Sequence, residues 1–290
     1  MCGIIGISSI LPIEKRDWLI LGRDSMRHRG PDGEGVFWST DGRVGFGHRR
    51  LSILDLTQSG HQPMTTLDSQ LVIVFNGEIY NHSELRQKLG KLGYIFQSTS
   101  DTEVILAAYK QWGRTCVSHL HGMFAFAIYD RVQDRVFLAR DRAGEKPLFY
   151  SLNKGELRFA SELKALTSDS NFPRHLDRRA FDCYLSMGYI PGELCILEGV
   201  NKLPPAHTLS FNLKDGSSNI LRYWDLPDLA SGAEEHCEDD LLDELENLLE
   251  SSVRRQLVAD VPVSLLLSGG VDSSLITALA ARNGGRLKTF

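Results

Sequence analysis

What this chain lacks narrows its reading before any motif is considered. Its five cysteines (Cys2, Cys116, Cys183, Cys195 and Cys237) are scattered, and none forms a C-x-x-C pair. Neither a zinc ligand set nor a disulfide framework is indicated, so no metal site is expected. An odd count without a framework suits a reducing compartment. No apolar run approaches the roughly 20 residues needed to span a bilayer. The opening residues do not read as a signal peptide: Gly3–Ile13 is apolar but broken by Ser8, Ser9 and Pro12, and Glu14-Lys15-Arg16 follows. The expected location is the cytoplasm, with no membrane partner. Positive charge is not in excess, since 32 Lys and Arg face 37 Asp and Glu for a net −5. That balance argues against nucleic acid as a partner. Internal repeats, low-complexity tracts, a Walker A loop and a G-x-G-x-x-G fingerprint are all missing.

What is present falls into two halves. A length of 290 residues predicts about two domains. Residues 1–214 are dominated by short strands and hairpins with a few helices. Cys2–Ser8 is predicted to be a buried strand, and "LVIVF" (Leu71–Phe75) a second one, stopped by the turn signal Asn76-Gly77. An amphipathic helix is predicted around Ser83–Leu92, with Leu85, Leu89 and Leu92 on one face. Ser100-Asp101-Thr102-Glu103 has capping-box form and opens a helix carrying Val104, Ile105, Ala108 and Trp112. "FAFAIYD" and "VFLARD" pair as a hairpin across Arg131–Arg135, with further strands at "PLFYS" and "LRFAS". This grouping predicts an antiparallel, layered α+β domain. Residues 215–237 are read as a linker, most visibly in the acidic stretch "PDLASGAEEHCEDD". The segment 238–290 then changes character. Leu241, Leu245, Leu248, Leu249 and Val253 recur at helical spacing. "VPVSLLL" reads as a strand buried on both faces, followed by "SGGVDSS" and the helix "LITALAARNGG". Strand, glycine turn and helix make the first unit of a doubly wound parallel α/β domain.

Four stretches can carry chemistry. In "MCGIIGI", removal of Met1 would leave Cys2 with a thiol and a free α-amine on one carbon. A terminal amine has an ordinary pKa of about 7.7–8.0, so it can take the thiol proton directly or through water. In "FNGEIYN" (Phe75–Asn81), the Asn76 amide and the Gly77 N–H can aim at one point, as an oxyanion hole requires; as bare sequence it is also a plain hairpin turn. "GHRRLSILDL" offers Arg50, whose guanidinium can grip a carboxylate with two parallel bonds, or can simply lie on the surface. In "LSGGVDSS", two glycines admit an anion to backbone N–H groups at a helix start, and Ser268, Ser273 and Ser274 add hydroxyls.

Taken in order, "MCGI", "RHRGPD", "RLSILD", "FNGEIYNH", "SDTEVIL", "GMFAFAIYD", "ARDRAGEKPL", "SELKAL", "KLPPAH" and "LLSGGVDSS" resemble the glutamine-hydrolysing asparagine synthetases along essentially the whole chain. These fuse a class II glutamine amidotransferase domain, of the N-terminal nucleophile type, to an ATP pyrophosphatase domain. The resemblance implies a layered αββα glutaminase fold with Cys2 as nucleophile and Asn76 and Gly77 as the oxyanion hole. It implies glutamine binding by Arg50, Leu51, Ser52, Ile53, Leu54, Asn76, Gly77, Glu78 and Asp101, with Arg50 on the α-carboxylate and the two acids on the α-amine. "RHRGPDGEG" (Arg27–Gly35) corresponds to a flexible loop near that site. Leu267, Ser268, Gly269, Gly270, Val271, Asp272, Ser273 and Ser274 would hold ATP, with Leu267 by the adenine and Mg²⁺ accompanying the nucleotide. The implied substrates are glutamine, aspartate and ATP, and a homodimer is allowed. A same-chemistry alternative amidates another carboxylate, such as a sugar acid; a different-class alternative is a non-catalytic glutamine-binding module. In these enzymes the ATP domain continues well beyond the pyrophosphate loop, so residues 238–290 are expected to hold only its first part, whether as a fragment or a truncated gene.

Overall fold

The computed structural model describes residues 1–227, 237–282 and 287–290. In chain order its elements are β1 (Gly3–Ser9), α1 (Asp17–Ser25), β2 (Gly33–Trp38), β3 (Val44–Arg50), β4 (Met64–Thr65), β5 (Leu71–Ile79), α2 (His82–Lys91) and α3 (Asp101–Trp112). There follow β6 (Gly122–Asp130), β7 (Arg135–Arg140), β8 (Phe149–Asn153), β9 (Glu156–Ala160), α4 (Leu163–Leu166), α5 (Arg178–Met187), β10 (Asn201–Lys202), β11 (His207–Asn212) and β12 (Ser218–Arg222). The last four are α6 (Glu238–Gln256), β13 (Ser264–Leu265), α7 (Val271–Arg282) and β14 (Lys288–Thr289). The chain divides into two compact units, Met1–Asp225 and Leu226–Phe290.

The first unit is built from two antiparallel sheets, ordered β10-β8-β9-β1-β3-β2 and β12-β11-β7-β6-β5-β4. Because strand side chains alternate between faces, each sheet has an inner and an outer apolar set. Ile4, Val44, Phe46 and Phe159 of one sheet meet Val72, Val74, Ala125, Leu138 and Phe211 of the other to form the central layer. On the outer face of the first sheet, Ile5 and Ile7 are covered by Trp18 and Leu19 of α1 and Ala165 and Leu166 of α4. On the outer face of the second, Ile73, Phe75, Phe126 and Phe137 are covered by Leu85 and Leu89 of α2 and Val104, Ile105 and Ala108 of α3. The result is the layered αββα arrangement expected from the resemblance.

Several local expectations change. Asn76-Gly77 is not a turn: β5 continues through both residues, pairing Asn76 with Ala125 and Gly77 with Phe124 on β6. The glycine serves close approach instead, since a Cβ there would overlap the Met123 carbonyl oxygen. Leu92 leaves the apolar face of α2; it caps the helix and is exposed, while Leu85 and Leu89 are buried. Glu103 does not close a capping box on Ser100. Its carboxylate accepts from the N–H groups of Gln97 and Ser98, and the Ser100 hydroxyl caps α3 by accepting from Thr102 N–H. The first unit also runs beyond residue 214, because residues 218–222, expected in the linker, form β12 against β11. The expected linker stretch 228–236 lies outside the described residues.

In the second unit α7 connects β13 to β14, which pair in parallel, a crossover of the doubly wound kind. "VPVSLLL" is not buried on both faces as expected. Ser264 and Leu265 pair on one side, Leu267 N–H adds a bond to the Phe290 carbonyl at 2.8 Å, and Leu266 and Leu267 are exposed. The glycine stop expected after α7 falls at residues 284–285, outside the described residues. Among the described residues, no helix is long and apolar enough to cross a membrane.

Candidate active site

Several segments converge on one polar cavity in the first unit, among them the stretch before β4 with Gly60 and Gln62. It is lined by Cys2 beside β1, by Arg50, Leu51, Ile53 and Leu54 at the end of β3 and just beyond, by Gly77 and Glu78 on β5, and by Ser100, Asp101 and Thr102 at the start of α3. A contiguous recess is lined by Cys2, Asn76, Gly77, Glu78, Met123 and Lys146. Cys2 reaches this point because β1 runs antiparallel to β3 with Gly3 opposite Arg49, so the residue before the strand lies beside the end of β3.

The Cys2 thiol is held by Leu51 alone: Leu51 N–H donates to Sγ at 3.4 Å, and Sγ lies 3.6 Å from the Leu51 carbonyl oxygen. Burial pushes the thiol pKa up, with the Leu51 bond opposing. Burial likewise pushes the Met1 terminal amine, one residue before Cys2, below its ordinary value. Both shifts favour the uncharged forms of the groups at this terminus, and the thiol needs a base beside it to react. The Cys2 carbonyl is anchored by Arg29 Nε at 2.8 Å, and Arg29 in turn pairs with Glu162.

Asn76 is fully buried, yet neither its Oδ1 nor its Nδ2 has a partner. An orphaned buried amide costs about 1–3 kcal/mol, so its presence in this recess marks a position suited to an anionic oxygen. Glu78 and Asp101 face the same cavity. Burial first, and then the Asp101 charge, push the Glu78 carboxyl well above the ordinary range. Burial raises Asp101 as well, against N–H donors that include Ile79 at 2.9 Å. Two buried carboxyls with a raised proton affinity form a site for a cation.

Arg50 is buried, but its guanidinium is already engaged. Nη1 donates to the Thr57 carbonyl at 3.1 Å, and Nη2 to those of Leu54 (3.1 Å) and Asp55. It thus shapes the 51–57 segment that walls the cavity. Ser52 is the exception among the expected glutamine contacts: it does not line the cavity, and its N–H donates to Asp32 Oδ2 at 2.9 Å. That bond and the Arg29–Cys2 bond make "RHRGPD" part of the site's frame. Sequence reading missed Arg29's contact, Gln62, Met123 and Lys146. Gln62 and Met123 carry no reactive group, and only "RHR" and "EKPL" within recognised motifs gave any signal for the others.

The expected ATP residues lie in the second unit, at the turn into α7. Gly269 has a positive φ of 82°. The Ser268 and Ser273 hydroxyls are 3.0 Å apart, and Ser273 Oγ donates to the Gly270 carbonyl at 3.2 Å. Leu267–Asp272 and Ser274 are exposed. Among the described residues no group of His, Cys, Asp and Glu gathers to hold a metal ion.

The two-sheet sandwich with its helical outer layers recurs in solved structures. The chain superposes over its whole length on 65% of glutamine phosphoribosylpyrophosphate amidotransferase from Bacillus subtilis complexed with ADP and GMP, with a TM-score of 0.57 at 19% identity. That likeness defines a fold. A family model described as "Glutamine amidotransferase domain" matches residues 1–224, and the chain belongs to this family. A second model, "Asparagine synthase", matches residues 244–290. The chain is 40% identical over 97% of its length to asparagine synthetase [glutamine-hydrolyzing] 3 of Bacillus subtilis (strain 168), covering 45% of that protein. It is 35% identical over 96% of its length to putative asparagine synthetase [glutamine-hydrolyzing] 2 of Methanocaldococcus jannaschii, covering 56% of it. The chain therefore spans about half the length of the curated relatives it matches.

Proposed function

We propose that the first unit hydrolyses glutamine to glutamate and ammonia, and that the protein uses this nitrogen for ATP-dependent conversion of aspartate to asparagine, releasing AMP and pyrophosphate. The observation that carries the first part is the buried Asn76 amide, unpartnered on both atoms and sharing a recess with the Cys2 thiol. In this reading Met1 is removed and the Cys2 amine takes the thiol proton. Sulfur attacks the side-chain amide carbon, and the oxyanion accepts from Asn76 Nδ2 and Gly77 N–H. The protonated Cys2 amine passes that proton to the leaving nitrogen, ammonia departs, and water cleaves the thioester to glutamate and the free thiol. The raised, cation-seeking pair Glu78 and Asp101 takes the substrate α-ammonium. Arg50, with Leu51, Ile53 and Leu54, bounds the opposite wall and takes the α-carboxylate. Ser52 contributes through the position of its segment.

The second part rests on the asparagine-synthetase names of the relatives and on the loop from Leu267 to Ser274. A positive-φ glycine followed by a helix start offers N–H groups to phosphates. Mg²⁺ would arrive with the nucleotide, as the family resemblance implies. Aspartate as acceptor follows those names, the cytoplasm follows the five free cysteines, and a homodimer rests on the family resemblance alone.

The test is Cys2→Ala. Glutamine-dependent ammonia release should fall to background, while the melting temperature stays within a few degrees of wild type. Glutamine hydrolysis at the wild-type rate by this variant would assign the nucleophile elsewhere.

A further inference from the structure

β5 carries the Asn76–Gly77 pair, but it is paired on both edges only in its first half. β4 supplies two residues, with Met64 opposite Ile73 and Thr65 opposite Val72. Continuing that register places Gln62 opposite Phe75. There the backbone ladder gives way to side chains: Phe75 N–H donates to Gln62 Oε1 at 2.6 Å, and the Phe75 carbonyl accepts from His48 Nε2 at 3.0 Å. Gln62 continues through Nε2 to Thr102 Oγ1 at 3.2 Å, in the first turn of α3. All three bonds are buried.

His48 comes from the other sheet. It sits on β3 opposite Ile4 of β1, and alternation along a strand puts it on the same face as Arg50. Its bond to Phe75 therefore crosses the sandwich and joins the sheet bearing Cys2 to the strand bearing Asn76. Burial pulls the ring's pKa down to about 3, so the imidazole is neutral. Its proton must lie on Nε2, which faces a carbonyl, and Nδ1 is left without a partner.

We propose that His48 and Gln62 are positioning residues that set the direction of the oxyanion-binding Asn76 amide by clamping the Phe75 peptide units; this rests on the glutaminase reading above. The Asn76 amide has no hydrogen bond of its own, so its direction depends on its backbone. That backbone is held by β6 on one edge and, on the other, by these two side chains at the preceding residue. The clamp also fixes two separations that catalysis needs. His48 sets Asn76 against the Cys2 sheet, and Gln62 sets it against the helix turn that carries Asp101.

The test is a set of double-mutant cycles in the full chain, read as steady-state glutamine hydrolysis with melting curves alongside. Gln62→Leu and His48→Leu should each lower kcat about tenfold, with KM for glutamine within about twofold of wild type. In an Asn76→Ala background the same substitutions should change kcat by less than about twofold, because a residue acting through Asn76 has nothing left to position. Should either leucine variant fail to fold, Thr102→Val, which removes only the acceptor of Gln62, should repeat the pattern with a smaller loss. His48→Gln, which keeps a donor, should recover part of kcat. Equal fold-losses in both backgrounds, or singles with unchanged kcat, would overturn the clamp while leaving the glutaminase reading intact. A wild-type chain that does not hydrolyse glutamine would overturn both.

Discussion

Glu78 and Asp101 show how a site can be built against stability. Both carboxyls bind protons more tightly in the folded protein than in the unfolded chain, chiefly through burial and, for Glu78, then through the neighbouring Asp101 charge. A carboxyl whose folded pKa is raised binds more protons in the native state, so its contribution to stability falls as pH rises from the unfolded value of about 4. The ligand-free protein should thus be penalised at neutral and alkaline pH, and a substrate ammonium would relieve it. Glu78→Gln removes one of the two like charges and keeps the shape. Its melting temperature should exceed wild type by about 2–4 °C at pH 8. The gap should close near pH 4, where the wild-type carboxyls are protonated, and glutamine affinity should be lost. Equal melting temperatures at both pH values would show that the pair is not strained.

Among the elements, those set by local pattern were legible in the sequence. The helix after Ser100, the β6–β7 hairpin and the leucine face of α2 as far as Leu89 follow from spacing and caps. What was not legible depended on distant partners. Asn76-Gly77 reads locally as a turn, and the nine-residue pairing of β5 with β6 keeps it extended. Gln62 and His48 have no local signature, because their bonds to Phe75 link residues 13 and 27 positions apart. The predicted leucine face of α6 forms, yet no residue of that helix is buried. Periodicity states which side is apolar and not whether anything covers it. The start of α3 joins a legible element to function, since the Ser100 hydroxyl caps it and the next residue is Asp101. Ser100→Ala should cost about 1 kcal/mol, lower the melting temperature by about 2–4 °C, and raise KM for glutamine as the first turn loosens. An unchanged KM with the expected stability loss would separate the cap from the site.

At the scale of the whole molecule the two units differ in completeness of packing. The first has a sandwich core, two helical outer layers and a cavity walled by residues of several segments, where the proposed glutamine hydrolysis would take place. In the second, the described residues supply a two-stranded parallel ladder and a turn into α7. Leu266, Leu267 and Val271 around that turn are exposed. A positive-φ glycine and a helix start can meet a phosphate, but nucleotide sites bury most of their ligand, and nothing among these residues encloses an adenine or a ribose. The 290-residue chain supplied with glutamine should therefore release ammonia, yet release no pyrophosphate from ATP and Mg²⁺ with aspartate and ammonia present. Adding the two assays to one preparation makes the contrast internal, because glutaminase activity certifies that the protein is folded. Pyrophosphate release that scales linearly with protein concentration would mean that the exposed loop suffices for adenylation. Release rising with the square of concentration would mean that a second copy completes the site.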